Sequence, residues 1–295
     1  PYLKGPPIQR LDRESLAVIK KNTFAMVFHR LGSVIVFGTD NLLLSKLVGI
    51  LEVGFYSNYS MILIALDRVF SRIFNAMKAS IGNIGATESS EKAMNVFNAI
   101  NFLGFWIYGF SSICLINLLN PFIALWLGER FLFPMPVVGV IVLNFYLTGM
   151  RKSVLSFKDS FGLFWHDRYK PLLEALINLV ASIGFFFIFG MIGIFIGTTA
   201  STLLTCFWVE PYVLYKHGFK SPVRDYFWRY LSYSLVMVFA GVITSLLVNV
   251  VAETQITDFL LKMMICAVVP NVVFLLSFFK TKEIRYFLGK LKTKG

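Results

Sequence analysis

Charge is what this sequence has least of. Only 15% of its 295 residues are Asp, Glu, Lys or Arg, against roughly a quarter in ordinary soluble domains. With 57% apolar residues, 31 Phe and a mean hydropathy of +0.70, the chain belongs to the polytopic membrane class. Cysteine is nearly absent. Cys114, Cys206 and Cys266 are far apart, each within an apolar run, and form no CxxC or Cys/His cluster. That pattern argues against a zinc site and leaves the three as small packing residues. His29, His166 and His217 lie in separate regions, and no GxSxG, HExxH or Walker A string or convincing carboxylate pair occurs. Catalysis therefore finds little support, and a transporter is expected in place of an enzyme. Acidic residues are fewer than basic ones, 16 against 28, giving a net charge of +12. The basic residues are interleaved with apolar spans and not gathered on a soluble face, which argues against a nucleic-acid partner.

The apolar runs are what the chain has in abundance. A helical span needs about 20 mainly apolar residues. Eight are expected, at about 22–48, 53–83, 100–127, 131–155, 172–189, 192–215, 226–250 and 258–279. Residues 1–11 read as a Pro-rich loop and 12–21 as a short charged surface helix. Residues 85–99 read as an amphipathic connector, 156–171 as a polar loop, and Gly190–Met191 as a tight turn. Orientation follows from Lys and Arg. With the N-terminus cytoplasmic, 25 of the 28 fall inside and only Lys46, Arg130 and Lys262 outside. Both termini are then cytoplasmic. Trp126, Trp165 and Trp228 fall near span ends, where indoles prefer the interface.

Ionisable groups inside spans are the functional suspects. On a helix with 100° per residue, His29, Arg30, Ser33, Asp40, Asn41 and Ser45 share one side of the first span. Arg30 and Asp40 are about 15 Å apart along the axis, with Gly32 and Gly38 between them to permit a break. Such a stripe either packs on neighbouring helices or lines a water-filled cavity, and an unpaired guanidinium favours the cavity. In the second span, Ser57 and Asn58 lie near the outer end. Arg68, Arg72 and Asn75 share one face at the inner end, where Asp67 could offset part of the charge. That face is either solvated or a basic vestibule for an anionic head group, to which Arg151 and Lys152 would add. Gly193 and Gly197 read as helix packing, Glu174 as a helix-start charge and Glu210 as an inner-end residue contacting water.

The wording of the sequence adds a resemblance. KNTFAMVFHRLGSVIVFGTDNLLLSKLVGILEVGFYSNY, MKASIGNIGA and FWVEPYVLYKHGF resemble bacterial polysaccharide transporters. These are the Wzx-like sugar translocases of the multidrug/oligosaccharidyl-lipid/polysaccharide flippase superfamily. The likeness covers essentially the whole chain, with TDN, YSNY and SIGN its most specific strings. It implies two six-helix lobes around a cavity, often with two further helices. The chain would then be the C-terminal part, its opening PYLKGPPIQR an inter-lobe loop. Residues 1–21 would be that loop and the surface helix, 22–215 the second lobe, and 216–295 two additional helices with a basic tail. An absent N-terminal lobe would supply the other cavity wall.

The resemblance further implies movement of an undecaprenyl-pyrophosphate-linked oligosaccharide across the plasma membrane for capsule or exopolysaccharide synthesis. No cofactor is expected beyond a coupling cation or the membrane potential. Membrane lipids, a polysaccharide polymerase and glycosyltransferases are the expected company. Arg30 is the residue best placed for the pyrophosphate, with His29, Asn41, Asn58, Arg68, Arg72 and Arg151 as further substrate candidates and Asp40 as the coupling-ion candidate. A drug exporter or a lipid II flippase would share the fold. A membrane polymerase or acyltransferase is the competing class, disfavoured by short outer loops.

Overall fold

The computed structural model describes residues 12–251 and 256–286, and among them every regular element is helical. The expected N-terminal loop and most of the basic tail lie outside the described residues, as do residues 252–255 and the side chain of Ser33. The helices are α1 (Arg13–Leu43), α2 (Ile50–Thr87), α3 (Ser90–Leu127), α4 (Met135–Ser160) and α5 (Lys170–Phe189). They continue as α6 (Met191–Leu204), α7 (Cys206–Val213), α8 (Arg224–Val248) and α9 (Ile256–Phe278). Among the described residues, six segments are long and apolar enough to cross a membrane: α3, α4, α5, the α6–α7 unit through Phe219, α8 and α9. The fold is therefore an all-α, multi-pass membrane bundle. α1 and α2 have the length, with 31 and 38 residues, but not the apolar composition.

The expected surface helix at 12–21 is not a separate element. Asp12 accepts from the Ser15 amide at 3.1 Å, capping a helix that runs unbroken to Leu43. Gly32 and Gly38 do not break it. The amphipathic connector at 85–99 also shrinks, because Ser89 caps α3 directly after α2 ends. The last six expected spans coincide with these apolar segments. However, α3 begins ten residues before 100–127, and α4 runs five residues beyond 131–155 into the expected polar loop at 156–171. The Gly190 turn is where it was expected. Gly193 and Gly197 do pack: an added Cβ at Gly197 would lie 2.2 Å from Ser182 Oγ and 2.4 Å from its Cα. The α5–α6 hairpin depends on that close approach.

α3 and α4 form the centre, with 56% and 61% of their most apolar stretches buried, whereas α5, α8 and α9 bury 22% and show apolar faces outward. Around the centre, α8 and α9 pack on α3, while α2, α6 and α7 pack on α4. At one end Tyr59, Asn120 and Phe133 form a neutral clasp: Tyr59 donates to Asn120 Oδ1 at 2.7 Å and accepts from the Phe133 amide at 2.8 Å. α1 departs from this plan. After a π turn at Leu44–Val48 and Gly49 at φ 150°, the chain reverses into α2. Yet α1 lies along α5 and α2 along α4, so the two helices diverge from their shared turn.

Candidate functional site

Among the described side chains of α1, Ala25, Gly32, Thr39 and Leu43 are buried, the first three seven residues apart and Leu43 one turn further on. At Gly32 an added Cβ would sit 2.4 Å from Pro171 Cβ, so glycine is what lets α1 approach the start of α5. Arg30 lies about 160° around the helix from Gly32 and Asn41 about 20° from Arg30. Both are exposed. Arg30 has no hydrogen bond or ion pair among the described residues.

The expected single stripe is thus two faces. His29 and Asp40, about 90° away from Arg30, turn toward the bundle. His29 Nε2 is 3.1 Å from Asp167 Oδ1 and 3.4 Å from the Phe164 carbonyl oxygen. Asp167 is buried and also accepts from the buried Lys158. Burial pushes the Asp167 carboxyl up, but the His29 hydrogen bond and the Lys158 ammonium outweigh it and hold it below the usual carboxylate range. Asp40 accepts from Thr198 at 2.9 Å, and Thr198 in turn accepts from Asn178 Nδ2 at 2.9 Å. Asn178 is fully buried and its Oδ1 has no partner among the described residues. Arg30 and Asp40 are not paired.

On α2, Arg68 and Arg72 are exposed on one face, with no hydrogen bond or ion pair among the described residues, and Asn58, ten residues nearer the turn, is half-buried. Arg68 is eighteen residues from Ile50, about 27 Å along the axis, close to one hydrocarbon thickness of ~30 Å. Arg30, counted back from the same turn, is about 20 Å away. Asp67 does not offset the two arginines. It faces inward, accepting from Lys152 at 3.0 Å, Ser71 at 3.2 Å and Tyr108 at 2.9 Å.

Arg151 is corrected more sharply. It is not a rim cation but part of a buried ion cluster of α4, α5 and α7. Its Nε and Nη2 donate to Glu210 at 3.0 and 2.8 Å, and Nη1 is 3.6 Å from Glu174. Lys170 also donates to Glu210 and lies 3.8 Å from Glu174. Two cations face two carboxylates, and the group is close to neutral. Glu210 is completely buried, not in contact with water, and Glu174 is held by the cluster beyond any helix-start effect. The break at Thr205, between α6 and α7, precedes the short helix that carries Glu210.

The sequence marked His29, Asp40, Asp67, Arg151, Glu174 and Glu210 as ionisable groups in or near apolar runs, but left Lys158, Asp167 and Lys170 unremarked in the expected polar loop at 156–171. It did not reveal who pairs with whom, because most partners are far apart in the chain, 40 positions for Lys170 and Glu210, 59 for Arg151 and Glu210 and 138 for His29 and Asp167. Sorted by partner, the bundle keeps most of its inner charges compensated. Among the described residues, Arg30, Arg68 and Arg72 on α1 and α2 are exposed without a carboxylate partner, and so are Arg13 and Lys20 near the start of α1. Such an arrangement can attract and hold an anion, since only an uncompensated cation has hydrogen bonds to offer. Fold and site together define an all-α membrane bundle that carries exposed, unpaired arginines on α1 and α2. No protein-family model, no curated protein and no solved structure matches the chain.

Proposed function

We propose that the chain is the C-terminal part of a flippase that moves an undecaprenyl-pyrophosphate-linked oligosaccharide across the plasma membrane, with α1 and α2 completing eight spans. The observation that carries this reading is that Arg30, Arg68 and Arg72 are left without partners on the exposed faces of α1 and α2, while Arg151 and Lys152 nearby are compensated. A pyrophosphate would meet Arg68 and Arg72 at the cytoplasmic rim and pass to Arg30, with Asn41 and Asn58 offering hydrogen bonds to sugar hydroxyls. An N-terminal lobe would close the other side, and rocking of the lobes would give alternating access. α8 and α9 are the two additional helices, beside the lobe formed by residues 22–215. Asp40, with Thr198 beside it, is the coupling-cation candidate. The sequence wording and the Lys and Arg distribution support the same reading.

The test is Arg30→Gln in the full-length protein. Export of the polysaccharide should be lost while membrane insertion is unchanged. Normal export would remove Arg30 from the mechanism. Normal export with a lost drug tolerance would point instead to an exporter of the same fold.

A further inference from the structure

Two open grooves meet at Val223, where α7 gives way to α8. One, of about 410 Å³, is lined by Tyr212, Lys216, Lys220 and Pro222 among others. The other, of about 460 Å³, is lined by Val223, Arg224, Phe227, Trp228 and Leu231. The first is basic and the second apolar. Lys220, in the left-handed region at φ 54°, ends the π turn Leu214–Phe219 and lines the basic groove.

The charges here are not cancelled. Lys216, Lys220 and Arg224 are all exposed. Lys216 donates to the neutral Tyr212 phenol at 2.9 Å. The side chains of Lys220 and Arg224 have no hydrogen bond or ion pair among the described residues. Glu210 is occupied by Arg151 and Lys170, which leaves Asp225, exposed beside Arg224, as the one acidic residue in this stretch. The positive end of α8 points the same way. From here Trp228, Leu231, Leu235 and Phe239, all exposed, follow one face of α8. They cover eleven residues, about 16 Å, close to half of a ~30 Å hydrocarbon core.

We infer that this junction is a binding site for an anionic glycerophospholipid. Its phosphate is held by Lys216, Lys220 and Arg224, and its acyl chains lie along Phe227, Trp228 and Leu231. The apolar groove, which shares Val223 with the basic one and opens onto the apolar face of α8 that is about one leaflet long, selects a lipid over a soluble phosphate. The site is on different helices from the arginines of α1 and α2 and does not depend on the transport reading. A basic side chain at the membrane surface favours anionic lipid by roughly fivefold.

The protein is reconstituted in phosphatidylcholine bilayers that contain brominated phosphatidylglycerol or, at the same fraction, brominated phosphatidylcholine. Quenching of Trp228 is isolated by subtracting Trp228→Phe. Brominated phosphatidylglycerol should quench at fractions about tenfold lower, and the combined variant Lys216→Gln, Lys220→Gln, Arg224→Gln should abolish that preference. Arg68→Gln with Arg72→Gln should leave it intact. Lys220→Asn, which tolerates the left-handed backbone, should weaken it several-fold and serves if the triple variant does not fold. Equal quenching by the two lipids, a preference that survives loss of the basic residues, or its removal by millimolar inorganic phosphate would each overturn the assignment.

Discussion

Two regions of this bundle treat the same residue types in opposite ways. Among α4, α5 and α7, the half-buried Arg151 and buried Lys170 face the buried Glu210 and Glu174, and each guanidinium or ammonium has a carboxylate within 4 Å. On α1 and α2, Arg30, Arg68 and Arg72 stand exposed without such partners. Burial explains the first arrangement, since a buried charge without a partner costs several kcal/mol, roughly 3–5. An exposed arginine on a polar helix face has no such need, so structure alone does not account for its presence. Position in an apolar run is therefore a poor guide to function until the partner is known.

The comparison can be broken most strongly at Glu210. Glu210→Gln leaves Arg151 and Lys170 buried with too little counter-charge and should destabilise the folded protein by about 3–5 kcal/mol, read from unfolding in detergent. A loss near zero would mean that the cluster does not hold α4, α5 and α7 together. A purely steric control is Gly197→Ala. Its Cβ would press on Ser182 backbone atoms that cannot yield, and about 1–3 kcal/mol should be lost.

Asp167 sharpens the contrast through pH. Its carboxyl is held low when folded, so its contribution is present above the ordinary carboxylate value of about 4. The contribution declines as pH falls through the lowered native value. Asp167→Asn should flatten that part of an acid-unfolding curve; an unaltered curve would show that the His29 and Lys158 contacts carry no linkage. The smallest effect belongs to the exposed arginines. Arg30→Gln and Arg72→Gln should each change stability by no more than about 0.5 kcal/mol. A larger loss in unfolding assays would mean that they have partners after all, and the difference between the two regions would disappear.

Much of the bundle was legible in the sequence for simple reasons. The apolar stretches of α3, α5, α8 and α9 are long enough to announce themselves. Gly190 marked the α5–α6 turn, and Gly193 and Gly197 marked a close helix contact. Less legible was anything that depended on which side of a helix meets a neighbour. The polar side chains of α1 did share an arc, but that arc spans both the face turned to Asp167 and Thr198 and the face left open. His29 and Asp40 went one way and Arg30 and Asn41 the other. Periodicity gives angles between residues of one helix; it does not say where the next helix stands.

The sequence by itself determined the class of protein. Few charges, long apolar stretches and basic residues confined to alternate connections dictate a helical membrane bundle, because backbone groups in hydrocarbon must be satisfied within each helix. Only the tertiary structure decided which charges are spent. Glu210 takes Arg151 and Lys170, and Asp167 takes His29 from a distant helix and Lys158 from nine residues before it. A carboxylate neutralises a cation only when the two lie within a few ångströms, and that separation is set by helix packing.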